Sequence, residues 1–364
     1  MLIQCTKKLL DELKINPSEE IEENPLFSWH ANIITINRRK VLVLVNDSSR
    51  YTIVIYGLTA KEKKNIVAVI SDSIKTMFAA DYIKTEVTQE YLDASPGFTF
   101  TKTKDRRTVA RLNEACHIVK DDSDIIEPDN LYQLELNKVV NTFPYIMNNN
   151  LFQPNKVLYE ALENYYKKKI IQCKAIKLKV ALKMKSHTIW HRLVIPYDIT
   201  FAQLNNIIQK SFNWHNYHLY DFTIFNKKQV VAHVVSKYES AEYIKEGDIS
   251  SKECKISEYL PKYKKLVYRY DYGDNWVHTI DVEDFLFDYD KNHPVCLNGE
   301  GTAPPEDVGG EFGYNEFLRI LSNTENESYH EIKHWATMQN YNIFDIENLN
   351  RWLEKVLIKS FYYL

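Results

Sequence analysis

The chain has 364 residues, 45% hydrophobic, 26% charged and 13% aromatic, with a formal net charge of −3. This composition excludes disorder over most of the length. The charge excludes a global pull toward nucleic acid or anionic membrane, since residues 1–120 hold 18 Lys+Arg against 15 Asp+Glu and the remainder 28 against 34.

The length suits two domains, each able to bury its own core. Residues 1–120 read as the first, an α+β unit of unknown function. It opens with a short helix over Lys7–Leu13 and an acidic segment from Glu19 to Glu23. Strands follow at Asn32–Asn37 and Val41–Val45, flanking the polar turn Arg38-Arg39-Lys40, and at Tyr51–Tyr56. Thr59 and Glu62 form a capping box, after which Ile66, Val67, Ile70, Ile74, Met77 and Phe78 recur at helical spacing and predict one helix over 60–80. Phe98–Thr101 resembles a strand, and Asp105 is placed to cap a helix carrying Val109, Leu112 and Cys116.

Residues 121–172 read as a linker with a spacer helix. Asp121–Asp124, the Asn148-Asn149-Asn150 tract and Pro128, Pro144 and Pro154 interrupt any long element, while Val157, Leu158, Ala161, Leu162 and Tyr165 predict a helix over Lys156–Ile170.

The second domain, 173–364, opens on the alternating strand Ala175–Leu182 with Ile189–Ile195 as its antiparallel neighbour. Thr200 and Gln203 cap an amphipathic helix bearing Phe201, Leu204, Ile207, Ile208 and Phe212. Strands are predicted at Leu219–Phe225, Leu266–Tyr272 and Val277–Val282, and helices at Asn315–Leu321, Tyr329–Ala336 and Ile346–Ile358. The expected fold class is α+β: two domains, each a mainly antiparallel sheet packed with helices.

Five widely spaced cysteines, with no Cys-x-x-Cys pair, argue against a disulfide scaffold or a zinc knuckle and fit a reducing compartment. The first residues lack a signal-peptide layout, and no apolar run approaches the roughly 20 residues of a membrane span. A cytoplasmic protein without a membrane partner is expected.

Six of the nine glycines fall between Gly273 and Gly313, concentrating special backbone geometry in one tract. Within and before it stand Ile189-Trp190-x-Arg192, Trp214-x-x-x-His218-Leu219-x-x-Phe222, Tyr270-Asp271-Tyr272-Gly273-Asp274-x-Trp276-x-His278 and Gly301-x-x-Pro304-Pro305-Glu306-Asp307-x-Gly309-Gly310-x-x-Gly313-Tyr314. With these four motifs in order, residues 175–353 resemble the plasmid pRiA4b ORF-3-like family. Two positions depart from it: the family commonly carries Arg or Lys where His191 stands, and often a second histidine where Tyr220 stands. The resemblance implies a compact α+β module with plasmid or transposon associations and no defined activity. The first 120 residues resemble a small bacterial domain of unknown function, through Cys5–Leu10, Phe27–Asn32 and Phe100–Arg106.

Several constellations invite chemistry. If the strand begins at Asp274, then Asp274, Trp276 and His278 share one face, as an acid–base pair or as a turn former beside a core histidine. Glu306 and Asp307 lie between rigid prolines and flexible glycines. With Asp271, Asp274 and His278 they compose a candidate site for a divalent metal; alternatively Asp307 caps backbone amides and Glu306 pairs with Arg269 or Arg192. Trp190, Arg192, Trp214, His218, Tyr270 and Trp276 form a candidate pocket, with aromatic core as the competing reading. His187, His191 and His215 are expected to be exposed. Lys102, Lys104, Arg106 and Arg107, with Arg111 and beside Phe98 and Phe100, are candidate phosphate contacts, as is Arg38-Arg39-Lys40; a solvated charged face is the simpler alternative. No Walker, Rossmann or Gly-x-Ser-x-Gly motif is present.

These observations favour a binding or interaction module, with the Gly/Pro/acidic loop as its recognition surface and a protein as partner. The rival is a metal-dependent hydrolase or nucleic-acid-processing enzyme with Asp274, His278, Glu306 and Asp307 as catalytic candidates.

Overall fold

A computed structural model describes residues 1–19, 23–95, 97–147, 150–236 and 247–358. Within the acidic segment Glu19–Glu23, residues 20–22 lie outside this set, as do Asn148 and Asn149 of the asparagine tract. The described residues divide into two compact units, 1–172 and 173–357. The architecture is two-domain α+β, and no helix of the described residues is long and apolar enough to cross a membrane.

The first unit runs β1 (Leu2–Cys5), α1 (Lys7–Leu13), β2 (Ser28–Ile36), β3 (Arg39–Asn46), β4 (Thr52–Tyr56), α2 (Ala60–Lys64), α3 (Ile66–Ala80), α4 (Thr85–Asp93), β5 (Thr99–Lys102), α5 (Arg106–Asp121), α6 (Leu134–Thr142), β6 (Tyr145–Met147), β7 (Asn150–Phe152) and α7 (Pro154–Tyr166). Its five-stranded sheet has the order β4-β3-β2-β1-β5. This sheet is mixed, because β1 lies parallel to both its neighbours. Positive φ angles at Asn37 and Arg38 close the β2–β3 hairpin, so Arg39 already belongs to a strand. The capping box at Thr59 forms, but the helix behind it breaks at Asn65 into α2 and α3.

Strand alternation sends Ile33, Leu42, Leu44, Ile53 and Ile55 to one face and Ile34, Val41, Val43, Val45 and Val54 to the other, so the sheet is covered on both sides. Residues 121–172 are therefore not a spacer. Leu158 and Leu162 of α7 are fully buried in the first core, and Leu136 and Val140 of α6 join the second.

The second unit runs β8 (Cys173–Leu182), β9 (Ile189–Pro196), α8 (Phe201–Ser211), β10 (Tyr220–Asn226), β11 (Gln229–Val235), β12 (Ile249–Ser250), β13 (Lys265–Tyr270), β14 (Trp276–Tyr289), β15 (Val295–Glu300), α9 (Gly310–Leu321), α10 (Tyr329–Met338) and α11 (Ile346–Leu353). Eight strands form one sheet in the order β12-β11-β10-β13-β14-β8-β9-β15, antiparallel except for β11 with β12. The Thr200–Gln203 capping box starts α8, whose apolar face joins the inner face of this sheet in one core.

Candidate functional site

Three segments of the second unit converge at one end of the sheet: the stretch from α8 to β10, the β13–β14 turn, and the loop from β15 to α9. In the turn, Asp271 and Asn275 adopt positive φ, and the Asp271 Oδ1 accepts the Gly273 amide at 2.9 Å. This short carboxylate satisfies the turn with one oxygen and turns the other toward His218.

The loop is held at several points. Gly301 has φ of +80°, and a Cβ there would stand 2.4 Å from the Thr188 carbonyl, which only glycine allows. The Trp214 indole donates to the Pro304 carbonyl at 2.8 Å. Glu306 is 2% exposed; its carboxylate accepts from the Tyr270 hydroxyl and from the His215 amide, the latter at 2.6 Å. Burial, then the Glu306 carboxylate, push the Tyr270 phenol above its ordinary range. Finally the Gly309 amide donates to Asp274 Oδ2 at 3.1 Å. Glu306 and Asp274 thus fasten the loop to the turn, and Asp307 is presented between these two fastenings.

The product is a cluster of donors. His218 Nε2 lies 2.9 Å from Asp307 Oδ1 and 3.8 Å from Asp271 Oδ2, and one donor atom from each residue falls within 4.8 Å of the other two. The side chains are 31% (His218), 10% (Asp271) and 58% (Asp307) exposed, so the cluster opens to solvent on the loop side. One imidazole and two carboxylates compose a donor set for a borderline or hard divalent cation, with coordination positions left over.

This grouping differs from the expected one. Asp271 and Asp307 come together, but with His218 instead of His278. Asp274 precedes β14 and serves as the Gly309 acceptor, while Glu306 is an internal anchor and pairs with neither candidate arginine. Arg192 forks onto Glu283 at 2.7 and 2.9 Å, and Arg269 binds Asp221 at 2.8 and 2.9 Å.

His278 is fully buried beside Phe212, Trp214 and Tyr268. Neither ring nitrogen has a hydrogen-bond partner among the described residues. Burial pushes the imidazole down to about 3; the carbonyls of Tyr268 and Trp276 pull the other way without reaching bonding geometry. His191 is not exposed as expected but 1% accessible. It stacks on Phe344 at 4.5 Å, and burial lowers it to about 4. Gly299 permits this, since a Cβ there would stand 2.5 Å from His191 and 2.8 Å from Phe344. His187 is bonded to Asn315 at 2.7 Å, and His215 is exposed.

The candidate pocket divides between the two faces of the sheet. Trp214, Tyr270 and Trp276 stack inside the core. Trp190 and Arg192 flank inward-facing His191 and so stand on the outer face, where Trp190 donates to Glu300 at 3.0 Å. His218 alone reaches the surface cluster. Its motif placed it in sequence; its meeting with Asp271 and Asp307 depends on two loops that come together only in the fold.

In the first unit, Lys104 is paired with Glu23 and Arg39 donates to the Pro128 carbonyl. Phe98 and Phe100 pack toward the core on the α3 side, whereas α5 covers the opposite face. Aromatic rings and the arginines of α5 therefore do not form the expected base-stacking surface.

Comparison with known proteins gives two adjoining matches. Residues 174–352 match the family described as "Plasmid pRiA4b ORF-3-like protein", and residues 2–157 match "Domain of unknown function (DUF6933)". The chain is 29% identical to "Uncharacterized protein y4hQ" of Sinorhizobium fredii over 168 residues, 46% of this chain and 82% of that protein. It is 30% identical to a solved structure, a protein of unknown function, MM3350, from Methanosarcina mazei Go1; the match spans 49% of this chain and 98% of that one with a TM-score of 0.42.

Proposed function

We propose that this chain, which belongs to the plasmid pRiA4b ORF-3-like family over residues 174–352 and to DUF6933 over residues 2–157, is a binding module whose recognition surface is organised by a divalent cation. The observation that carries this reading is the meeting of His218, Asp271 and Asp307 donor atoms within 4.8 Å, from three segments distant in sequence. Asp307 adopts a positive φ of 58° within a loop fastened on both sides, so its position is imposed by the fold and is not that of a freely solvated side chain. A cation on three protein ligands keeps positions for a donor group of a partner, and the mixed nitrogen and oxygen set favours Zn²⁺ or Mn²⁺ over Ca²⁺.

The open positions also favour a second reading, in which a metal-bound water is the nucleophile of a hydrolase. Both readings need the cation first. Protein purified without chelator is analysed for metals, then melted with and without Zn²⁺ and Mn²⁺. One equivalent per chain in the wild type, lost in His218→Ala and Asp307→Asn, is the expected result. Absence of any saturable cation effect rejects both, and turnover of an activated phosphodiester by loaded wild type alone selects the second.

A further inference from the structure

The geometry points to an anion site in the first unit, for a phosphate group, between the first half of α5 and the sheet face beneath it. Gln4, His30 and Thr101 stand directly opposite one another on β1, β2 and β5, and therefore line one face as a polar row at 2%, 2% and 1% exposure. Such a row under a helix requires partners for each polar group. Gln4 donates to Asp47 Oδ2 at 2.8 Å, and His30 Nδ1 meets Asp47 Oδ1 at 2.6 Å. That contact fixes the imidazole and turns Nε2 away from Asp47, and Nε2 has no partner among the described residues.

A second unpartnered group lies in the helix above. Asn32, two residues along β2 from His30, approaches Cys116, so the turns of α5 that precede Cys116 run back over His30. Arg111 stands there with a buried Nε that bonds nothing, and it forms no ion pair among the described residues. Arg107 lies one turn earlier on the same helical face. Arg50, whose side chain is only 15% exposed, reaches in from the β3–β4 turn to Glu114. Arg111 lies within electrostatic reach of both arginines, which, after burial, hold its guanidinium below the ordinary range; Asp105 and Asp47 oppose this. His30 is answered by Asp47 and Arg50 by Glu114, whereas Arg111, with a buried Nε and no ion pair among the described residues, keeps donor capacity for an anion. Fork-like guanidinium donors and a histidine whose Nε2 is unengaged suit the tetrahedral oxygens of phosphate. A cavity of about 440 Å³ adjoins the row, lined by Gln4, Thr101 and Lys102, by Lys104 paired with Glu23, and by Glu19, so it has room for the uncharged organic part of a phosphate monoester and not for a second anion.

This inference is independent of the cation site and is tested separately. The full chain is titrated calorimetrically with inorganic phosphate, with glycerol phosphate and with a 12-nucleotide single strand at constant ionic strength. A chloride series follows the general salt response. Saturable binding of phosphate or its monoester is expected, weakened at least about tenfold in Arg111→Gln and in Arg107→Gln, and unchanged in Lys75→Gln. Preference for the monoester over free phosphate assigns the cavity to the organic moiety; equal affinity assigns the site to the phosphate group alone. Arg111→Lys, which keeps the charge and loses the fork, should weaken binding while preserving the fold, as judged by circular dichroism. The proposal is overturned by heats that match the chloride series, by equal binding in wild type and Arg111→Lys, or by binding of the oligonucleotide alone with a steep salt dependence.

Discussion

The Glu306 carboxylate and the Tyr270 hydroxyl form a buried hydrogen bond that joins the β15–α9 loop to the end of β13. A second hydrogen bond, from the His215 amide, makes the same carboxylate the tie for the stretch that carries His218. Removing it leaves two buried donors unanswered. Glu306→Ala is expected to lower the stability of the second unit by about 2–4 kcal/mol, and Tyr270→Phe by about 1–3 kcal/mol. The double mutant should cost less than the sum, since the two changes delete one shared contact. Urea unfolding of the four proteins measures this.

Cation binding should appear as stabilisation through mass action. At a hundredfold excess over Kd the gain is about 2.7 kcal/mol, and a unit of this size shifts by about 2–4 °C per kcal/mol. A rise of roughly 5–10 °C in the transition of the second unit is therefore expected with Zn²⁺ or Mn²⁺. His218→Ala and Asp307→Asn should abolish it while leaving the cation-free melting temperature within about 2 °C, because both side chains reach solvent. Calorimetric scans with and without metal check both statements.

How much of this site was legible beforehand can be argued from its members. The motif containing Asp271 and Asp274 and the loop containing Asp307 stood out because glycine and proline flank them, and such geometry leaves a mark in local sequence. His278 drew attention by alternation with Trp276, and alternation does set its facing: Trp276, His278 and Ile280 all point inward. What alternation does not carry is which face is covered by α8, and that covering turned a candidate ligand into a core residue. The same blindness applied to His191, read as exposed but buried under Phe344. Local signals fared better where the determinant was itself local, as with the Thr59 and Thr200 capping boxes and the Asp105 cap. They failed for β15, whose partner β9 lies far back along the chain, and for β1, whose neighbours β2 and β5 come later; β11, although it pairs its hairpin neighbour β10, and the two-residue β12 were missed as well.

Gly313 tests whether loop geometry and cation binding are one property. A Cβ at this position would stand 1.8 Å from the Val308 carbonyl, a backbone atom with nowhere to retreat. Gly313→Ala should therefore displace the segment holding Asp307, destabilise the second unit by more than about 2 kcal/mol and weaken the cation at least about tenfold. Phe312→Ala, at a neighbouring side chain 86% exposed, should do neither. Parallel urea curves and metal titrations separate the two outcomes.

The buried histidines predict the acid response of the second unit. In the native state burial keeps His191 neutral down to about 4 and His278 down to about 3, whereas an unfolded imidazole protonates near 6.5. Between those limits the unfolded chain binds more protons, so stability is fully present above about pH 6.5 and declines as pH falls. The slope is about 1.4 kcal/mol per pH unit for each histidine. His278 is packed by Phe212, Trp214 and Tyr268, and His191 is the nearby titratable group acting on it, so no carboxylate compensates. His278→Leu should remove one proton's worth of slope, measured as the difference from wild type between pH 7.5 and 5 in denaturant unfolding. A parallel pair of curves would contradict the buried, neutral assignment.

The free edge of β4 supplies the last expectation. Its outward backbone groups are answered by side chains of α6, not by another strand. Thr52 donates to Asn141 Oδ1 at 2.6 Å and its carbonyl accepts from Asn141 Nδ2 at 2.8 Å, while Val54 donates to Asn137 Oδ1 at 3.0 Å. Asn137 and Asn141 are one helical turn apart, so a single helix face presents both amides to the sheet edge. Preceding them, Tyr56 donates to the Leu131 carbonyl at 2.9 Å, extending the cover along the strand. An edge finished in this way cannot spare α6, because Thr52 is fully buried in its presence and without it would stand open to pairing with another chain. Asn141→Leu should cost the first unit about 2–4 kcal/mol by orphaning two backbone groups. By the same reasoning a fragment ending at residue 172 should melt cooperatively, whereas one ending at residue 120 should show no cooperative transition and should self-associate through the exposed β4 edge. Calorimetry and sedimentation of the two fragments decide it.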